Sequence, residues 1–188
     1  GCRFATAYRA VIDQGRLSDG QWIAVHGCGG VGLSAIMIAR AVGARVIAID
    51  INDSSLERAS ALGAETFVNA RHSTDIAGEI LELSRGGVHV SIDALGNPAV
   101  LHNSVSCLRK RGRHVQVGIL SPEHRNARIP TDLIIARELE ILGSHGMQAH
   151  RYPEMLDMIL EGRLSPERLI GQTVNLEQAA DLLMKMDS

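Results

Sequence analysis

Six residues, Gly27-Cys28-Gly29-Gly30-Val31-Gly32, follow a β-branched run and open directly into an apolar stretch of helical period. Glycine at the first, third and sixth places does three different jobs. Gly27 permits a tight turn, Gly29 lets the backbone approach a diphosphate, and Gly32 lets a helix pack close to a strand. Amides at the helix start, Gly30 and Val31, and the positive end of the helix dipole would then face the phosphates. Asp50 ends the next β-branched run, about 20 residues beyond the loop, where a carboxylate meets ribose hydroxyls. A 2′-phosphate would be repelled there, and Ile51-Asn52-Asp53 supplies no arginine, the nearest cation being Arg58. These residues suit NAD better than NADP. S-adenosylmethionine enzymes pair a similar loop and acid, but usually carry an acidic residue where this chain has His26.

Such a loop works only where a strand runs into a helix, and the chain supplies that context repeatedly. Strands are expected at Trp22–His26, Arg45–Asp50, Thr66–Val68, Val88–Ala94, His114–Val117 and Leu139–Leu142. Helices are expected at Val31–Val42, Asp53–Leu62, about Thr74–Ser84, Ala99–Lys110, about Ala149–Leu160 and Leu176–Met186. Ser165-Pro166-Glu167 reads as an N-cap followed by a first-turn proline. Strand–helix alternation implies βαβ crossovers. The expected fold is an α/β Rossmann fold: a doubly wound, six-stranded parallel sheet with helices on both faces. Residues 1–16 lie outside the alternation. Phe4, Tyr8, Val11 and Ile12 stand at helical spacing, as in an amphipathic helix leading in from elsewhere. The whole of 1–188 reads as one dinucleotide-binding domain.

Composition agrees. The chain has 188 residues, enough for one domain, and only five aromatic residues, so Val, Ile, Leu and Ala must build the core. Lys and Arg number 19 against 21 Asp and Glu, which gives no bulk attraction to nucleic acid or anionic lipid. The one basic cluster, Arg109-Lys110-Arg111 with Arg113 around Gly112, is read as a helix C-terminus neutralised by cations and closed by glycine. No apolar run reaches the length of a membrane span. Cys2, Cys28 and Cys107 are widely spaced and odd in number, and no secretory leader is visible, so a reducing, cytoplasmic setting is expected.

With the loop read as VHGCGGVGLSAI and followed by VIAID, the chain resembles the zinc-dependent alcohol dehydrogenases of the medium-chain dehydrogenase/reductase family. Ser91-Ile92-Asp93-Ala94-Leu95-Gly96 is similar to the family's segment under the nicotinamide ribose. Arg113-His114-Val115-Gln116-Val117-Gly118 and Ile141-Leu142-Gly143-Ser144 are similar to segments that meet the nicotinamide carboxamide. The resemblance implies cofactor contacts at Ala94, Leu95, Gly96, Val117, Gly118 and Ser144. The opening GCRFATAY also has a counterpart. By resemblance Cys2 is a ligand of the catalytic zinc and Thr6 packs beside the nicotinamide. A lone cysteine is otherwise an inert core residue. Ser55 departs from the pattern, since many members carry a basic residue there that reaches the adenosine ribose. The eight histidines give Cys2 no convincing partner. His26, Cys28, His145 and His150 are assigned to local structure, with His145 placed near the cofactor pocket as an alternative.

The resemblance implies the coenzyme-binding domain of an NAD-linked alcohol dehydrogenase, acting on a small alcohol or aldehyde, without its catalytic domain. Zinc would be held only in the full-length protein, no catalytic residue lies in this segment, and the segment alone would turn over no alcohol. An uncovered edge at Leu139–Leu142 is expected to pair in a homodimer or homotetramer. Two rivals are a zinc-free quinone or enone reductase that uses NADPH, and a non-catalytic nucleotide-binding or assembly module. The acid at Asp50 and the thiol at Cys2 weigh against the first.

Overall fold

All five residues of Trp22–His26 (β1) are buried, as a strand covered by helices on both faces must be. The computed structural model describes residues 2–124 and 126–184. β1 is joined by β2 (Arg45–Asp50), β3 (Thr66–Asn69), β4 (Val88–Asp93), β5 (Leu108–Gln116) and β6 (Glu140–Gly143) in one sheet ordered β3-β2-β1-β4-β5-β6. Every pairing is parallel. The doubly wound sheet expected from the sequence is therefore the fold. Strand order reverses between β1 and β4, and His26 stands in register with both Ile49 and Asp93. That reversal opens a crevice at the carboxyl ends of the strands.

Period-2 alternation divides the strand residues between two layers, broken between Val88 and Val90, where the β4–β5 register shifts. Ile23, Val25, Val46, Ala48, Val90, Ile92 and Val115 face one cluster, with α1 (Cys2–Tyr8), α2 (Gly30–Ala41), α3 (Asp53–Ala61) and α7 (Tyr152–Leu160) over it. Trp22, Ala24, Ile47, Ile49, Val88 and Leu108 face the other, beneath α4 (Ile76–Leu83), α5 (Pro98–Ser106) and α6 (Thr131–Arg137). The last described element is α8 (Leu176–Met184); the remainder of the expected Leu176–Met186 helix lies outside the described residues. Among the described residues no helix is long and apolar enough to cross a membrane.

The leading helix does more than connect. Phe4, Ala5, Ala7, Tyr8, Ala10 and Val11 are buried in the first layer, α1 lies against α2, and a π-helical turn, Arg9–Gln14, follows directly. Asp13 accepts hydrogen bonds from Arg151, at 2.7 Å from Nη2, and Arg9 Nη1 donates to the His145 carbonyl at 3.0 Å. These contacts fasten the segment to the far end of the chain.

The basic cluster is not a helix end. α5 stops at Ser106, and Leu108, fully buried, starts β5. Val88 pairs with Leu108 and Val90 with Arg113, so Arg109, Lys110, Arg111 and Gly112 bulge from the strand, Arg111 at φ +59°. The Ser106 carbonyl at the α5 terminus accepts from Arg137 Nη1 of α6 at 2.9 Å, and the same nitrogen donates to Leu108 O of β5 at 2.7 Å. A cation does neutralise this helix end, but it comes from 31 residues downstream. Ser165 precedes a 3₁₀ turn, Pro166–Leu169, without a side-chain capping bond.

Candidate functional site

The glycine turn lies between β1 and α2, at the strand-order reversal. Gly27 holds φ +93°, and a Cβ there would stand 2.6 Å from Leu95 Cγ. A Cβ on Gly32 would fall 1.7 Å from the Gly27 carbonyl oxygen, so helix and turn touch backbone to backbone. Gly29 differs: its Cβ position has nothing within 4 Å. Among the described residues the amides of Gly30, Val31 and Gly32 have no hydrogen-bond partner, while Leu33 N–H already donates to Gly29 O at 2.9 Å. Three free donors at the start of a 12-residue helix, beside the open face of Gly29, have the geometry to hold a diphosphate.

Asp50 sits at the tip of β2 with both oxygens engaged. Oδ2 accepts from the Cys28 amide at 2.7 Å and Oδ1 from the Asn52 amide at 2.9 Å. The carboxylate therefore braces the glycine turn, and its remaining lone pairs can accept two sugar hydroxyls. A cleft of about 730 Å³ opens here, lined by Gly29, Asp50, Asn52, Ser55, Gly96 and Val100 among others. No lysine or arginine lies among its described lining residues. The basic bulge of β5 lines another cleft, about 620 Å³, with Gln21 at the amino end of β1. The carboxyl-end cleft is the one that fits ligand binding in an open parallel sheet.

Farther along the crevice, two turns stack by their backbones. A Cβ on Gly118 would meet Gly96 N at 2.2 Å, and one on Gly96, at φ +78°, would meet Ile119 O at 2.4 Å. Ala94 and Val117 pack on the layer that contains Phe4 and Tyr8 of α1, while Leu95 is exposed. Ser144 follows β6, is 6% exposed, and its hydroxyl is a buried atom with no partner. Such an orphan costs about 1–3 kcal/mol unless something bonds to it. Thr6 is nearly as buried, and its hydroxyl makes no hydrogen bond among the described residues.

Cys2, at the start of α1, is an exposed free thiol. Among the described residues no three of His, Cys, Asp and Glu come together as a metal site. His26 is fully buried and its pKa is pushed down to about 3, first by desolvation and then by His114. Burial, aided by the Asp50 charge, raises the Cys28 thiol to about 12. His26 ends β1 and Cys28 stands in the turn that follows it. His145 and His150 are exposed.

Two residues escape the sequence reading. Arg3 crosses Gly30, its Nη1 2.9 Å from where a Cβ would be, and it makes no hydrogen bond or ion pair among the described residues. A cation resting unpaired on the positive end of a helix is unfavourable until an anion joins it. Asp93, fully buried, accepts from the Leu95 and Gly96 amides at 2.8 Å each and fixes that turn. Adjacency to Cys2 gave no hint of Arg3, because only the packing of α1 on α2 brings it there. Asp93 could have been suspected as an acid ending a strand before a glycine.

Residues 30–161, more than half of the chain, match the family described as zinc-binding dehydrogenase. The chain is 33% identical to the rabbit (Oryctolagus cuniculus) alcohol dehydrogenase class-2 isozyme 2, over 97% of its own length and 50% of that enzyme. It superposes on an alcohol dehydrogenase zinc-binding domain protein from Burkholderia ambifaria with TM-score 0.90 and 30% identity, covering 100% of this chain and 51% of that one. A short-chain alcohol dehydrogenase from Escherichia coli, solved as a complex with NADH, superposes with TM-score 0.86 and 25% identity over 98% of this chain and 53% of that one. The chain thus spans about half the length of the relatives it matches. Sheet order, glycine turn and sequence likeness agree, and the chain belongs to the zinc-binding dehydrogenase family.

Proposed function

We propose that residues 1–188 form the coenzyme-binding domain of a zinc-dependent, NAD-linked alcohol dehydrogenase, which moves hydride between a small alcohol or aldehyde and the cofactor. The observation that carries this reading is the trio of unpartnered amides at Gly30, Val31 and Gly32 beneath the open face of Gly29, with Asp50 beside it. In this reading the turn and Arg3 hold the pyrophosphate, and Asp50 accepts the adenosine ribose hydroxyls. The turns at Ala94–Gly96 and Val117–Gly118, with Thr6 and the orphaned Ser144 hydroxyl, receive the nicotinamide end. When bound, the nicotinamide accepts or returns the hydride; the chain's own residues fix where its ring lies. The NADH complex of the E. coli neighbour supports the same ligand.

Zinc is a separate matter. An open catalytic zinc needs three protein ligands, and the described residues offer no such cluster. The exposed Cys2 thiol would be one ligand, the others coming from outside these residues, so no step is assigned to the metal here. β6 lies at the sheet edge, and pairing of two such edges in a dimer is part of the proposal.

Isothermal titration of the intact protein with NAD and NADP tests this reading. Wild type should bind NAD and reject NADP. Asp50→Asn, which keeps an oxygen for the Cys28 amide but loses the charge, should bind NAD about tenfold more weakly, a loss of about 1.4 kcal/mol, and admit NADP. Equal binding of both cofactors by wild type would sink the assignment.

A further inference from the structure

We propose that Gln116 is the positioning residue for the nicotinamide end of the cleft, its amide held by Asp93 and Gly118 on one side and by a one-way chain of hydrogen bonds through His114, Ser104 and Ser91 on the other. The inference rests on the cofactor reading above. Gln116 ends β5, and its Nε2 lies 3.0 Å from Asp93 Oδ2 and 2.7 Å from Gly118 O. Both neighbours only accept, so the NH₂ group must face them and Oε1 must point the other way. His114 Nε2 stands 3.1 Å from that oxygen and so carries the ring proton. Its Nδ1 is left as an acceptor and takes the hydroxyl proton of Ser104 at 2.8 Å. Ser104 Oγ in turn accepts from Ser91 Oγ at 2.6 Å, with Cys107 Sγ 3.6 Å behind it.

Every donor direction in this chain follows from its last member. Ser91, Asp93, Ser104 and His114 are all fully buried, so water offers no alternative partners. Burial also lowers the His114 pKa, which keeps the ring neutral with a single N–H. The chain has a purpose at its outer end. Asp93 holds the Leu95 and Gly96 amides, and its backbone oxygen accepts from the Val117 and Gly118 amides at 3.0 and 2.8 Å. Gln116 ties the Asp93 carboxylate to the Gly118 carbonyl, so one side-chain amide joins the two turns that stack at Gly96 and Gly118. The Asp50 carboxylate, at the adenosine end, bonds to the Cys28 and Asn52 amides and to no member of the chain from Ser91 to Gln116. A positioning role of this kind acts on one half of the ligand alone.

The test is titration of the intact protein with NADH and with ADP-ribose, which lacks the nicotinamide. Gln116→Met keeps size and removes both donors without adding charge. His114→Phe leaves the two turns untouched and removes the donor that orients Oε1. Gln116→Met should weaken NADH binding about tenfold and His114→Phe about threefold, each leaving ADP-ribose within twofold of wild type, with an altered fluorescence of bound NADH. Should Gln116→Met fail to fold, the His114→Phe ratio decides alone. Proportional loss of both ligands, or no loss of either, overturns the inference, since a merely structural role would not distinguish them. Binding of neither ligand by wild type would instead overturn the cofactor reading itself.

Discussion

Protonating His26 should unlatch the fold, and the size of the effect follows from its surroundings. The ring lies on the central strand between Ile49 and Asp93, 2% exposed, its Nε2 3.9 Å from Cys107 Sγ and without a carboxylate partner among the described residues. Its pKa falls from 6.5 to about 3, chiefly through desolvation and secondly through His114. The folded protein therefore keeps the ring neutral where the unfolded chain takes up a proton. Stability from this group is complete above pH 6.5, declines as pH falls, and levels off only near pH 3. Between pH 7 and pH 5 the loss is about 2 kcal/mol. Urea unfolding of wild type and His26→Asn at both pH values isolates this term, because other titrating groups are shared. The destabilisation caused by His26→Asn should shrink by about 2 kcal/mol at pH 5 relative to pH 7. Parallel pH dependences for the two proteins would refute the reasoning.

Gly32→Ala places a methyl 1.7 Å from the Gly27 oxygen; it should cost about 3 kcal/mol in denaturant unfolding and abolish NAD binding by titration, whereas Gly29→Ala should fold normally. Of the three thiols, Cys2 alone is exposed while Cys28 and Cys107 are buried with pKa values raised to about 12. Ellman's reagent should thus find one fast thiol and two that react only on unfolding, and in the intact protein a zinc chelator should speed the fast one.

What could be read in the sequence was whatever carries its own period or geometry. Strands buried on both faces announce themselves as short β-branched runs, and the spacing from Gly27 to Asp50 is set by the length of one βα unit. Charge runs carry no such information. Arg109–Arg113 could sit on a helix or a strand, and the choice fell to the buried Leu108 and to Arg137, a distant residue that satisfies the helix end. α6 escaped because it is one short helix with no buried residue. The chain from Ser91 to Gln116 escaped for a different reason: polar residues inside strands form no motif until a fold places them side by side. Arg3 needed the packing of two helices before its position meant anything.

The contact between α1 and α2 has a mechanical meaning. Ala5 and Ala7 on one helix, and Ala35 and Ala39 on the other, are sealed in the same layer. Cys2, Arg3 and Thr6 thereby ride on a single helix pressed against α2, whose first three amides have no hydrogen-bond partner among the described residues. The spacing between thiol and glycine turn is a gauge length set by the packing of α1 on α2. A bulkier residue in that seam would shift the gauge and leave each site intact but out of step with the other.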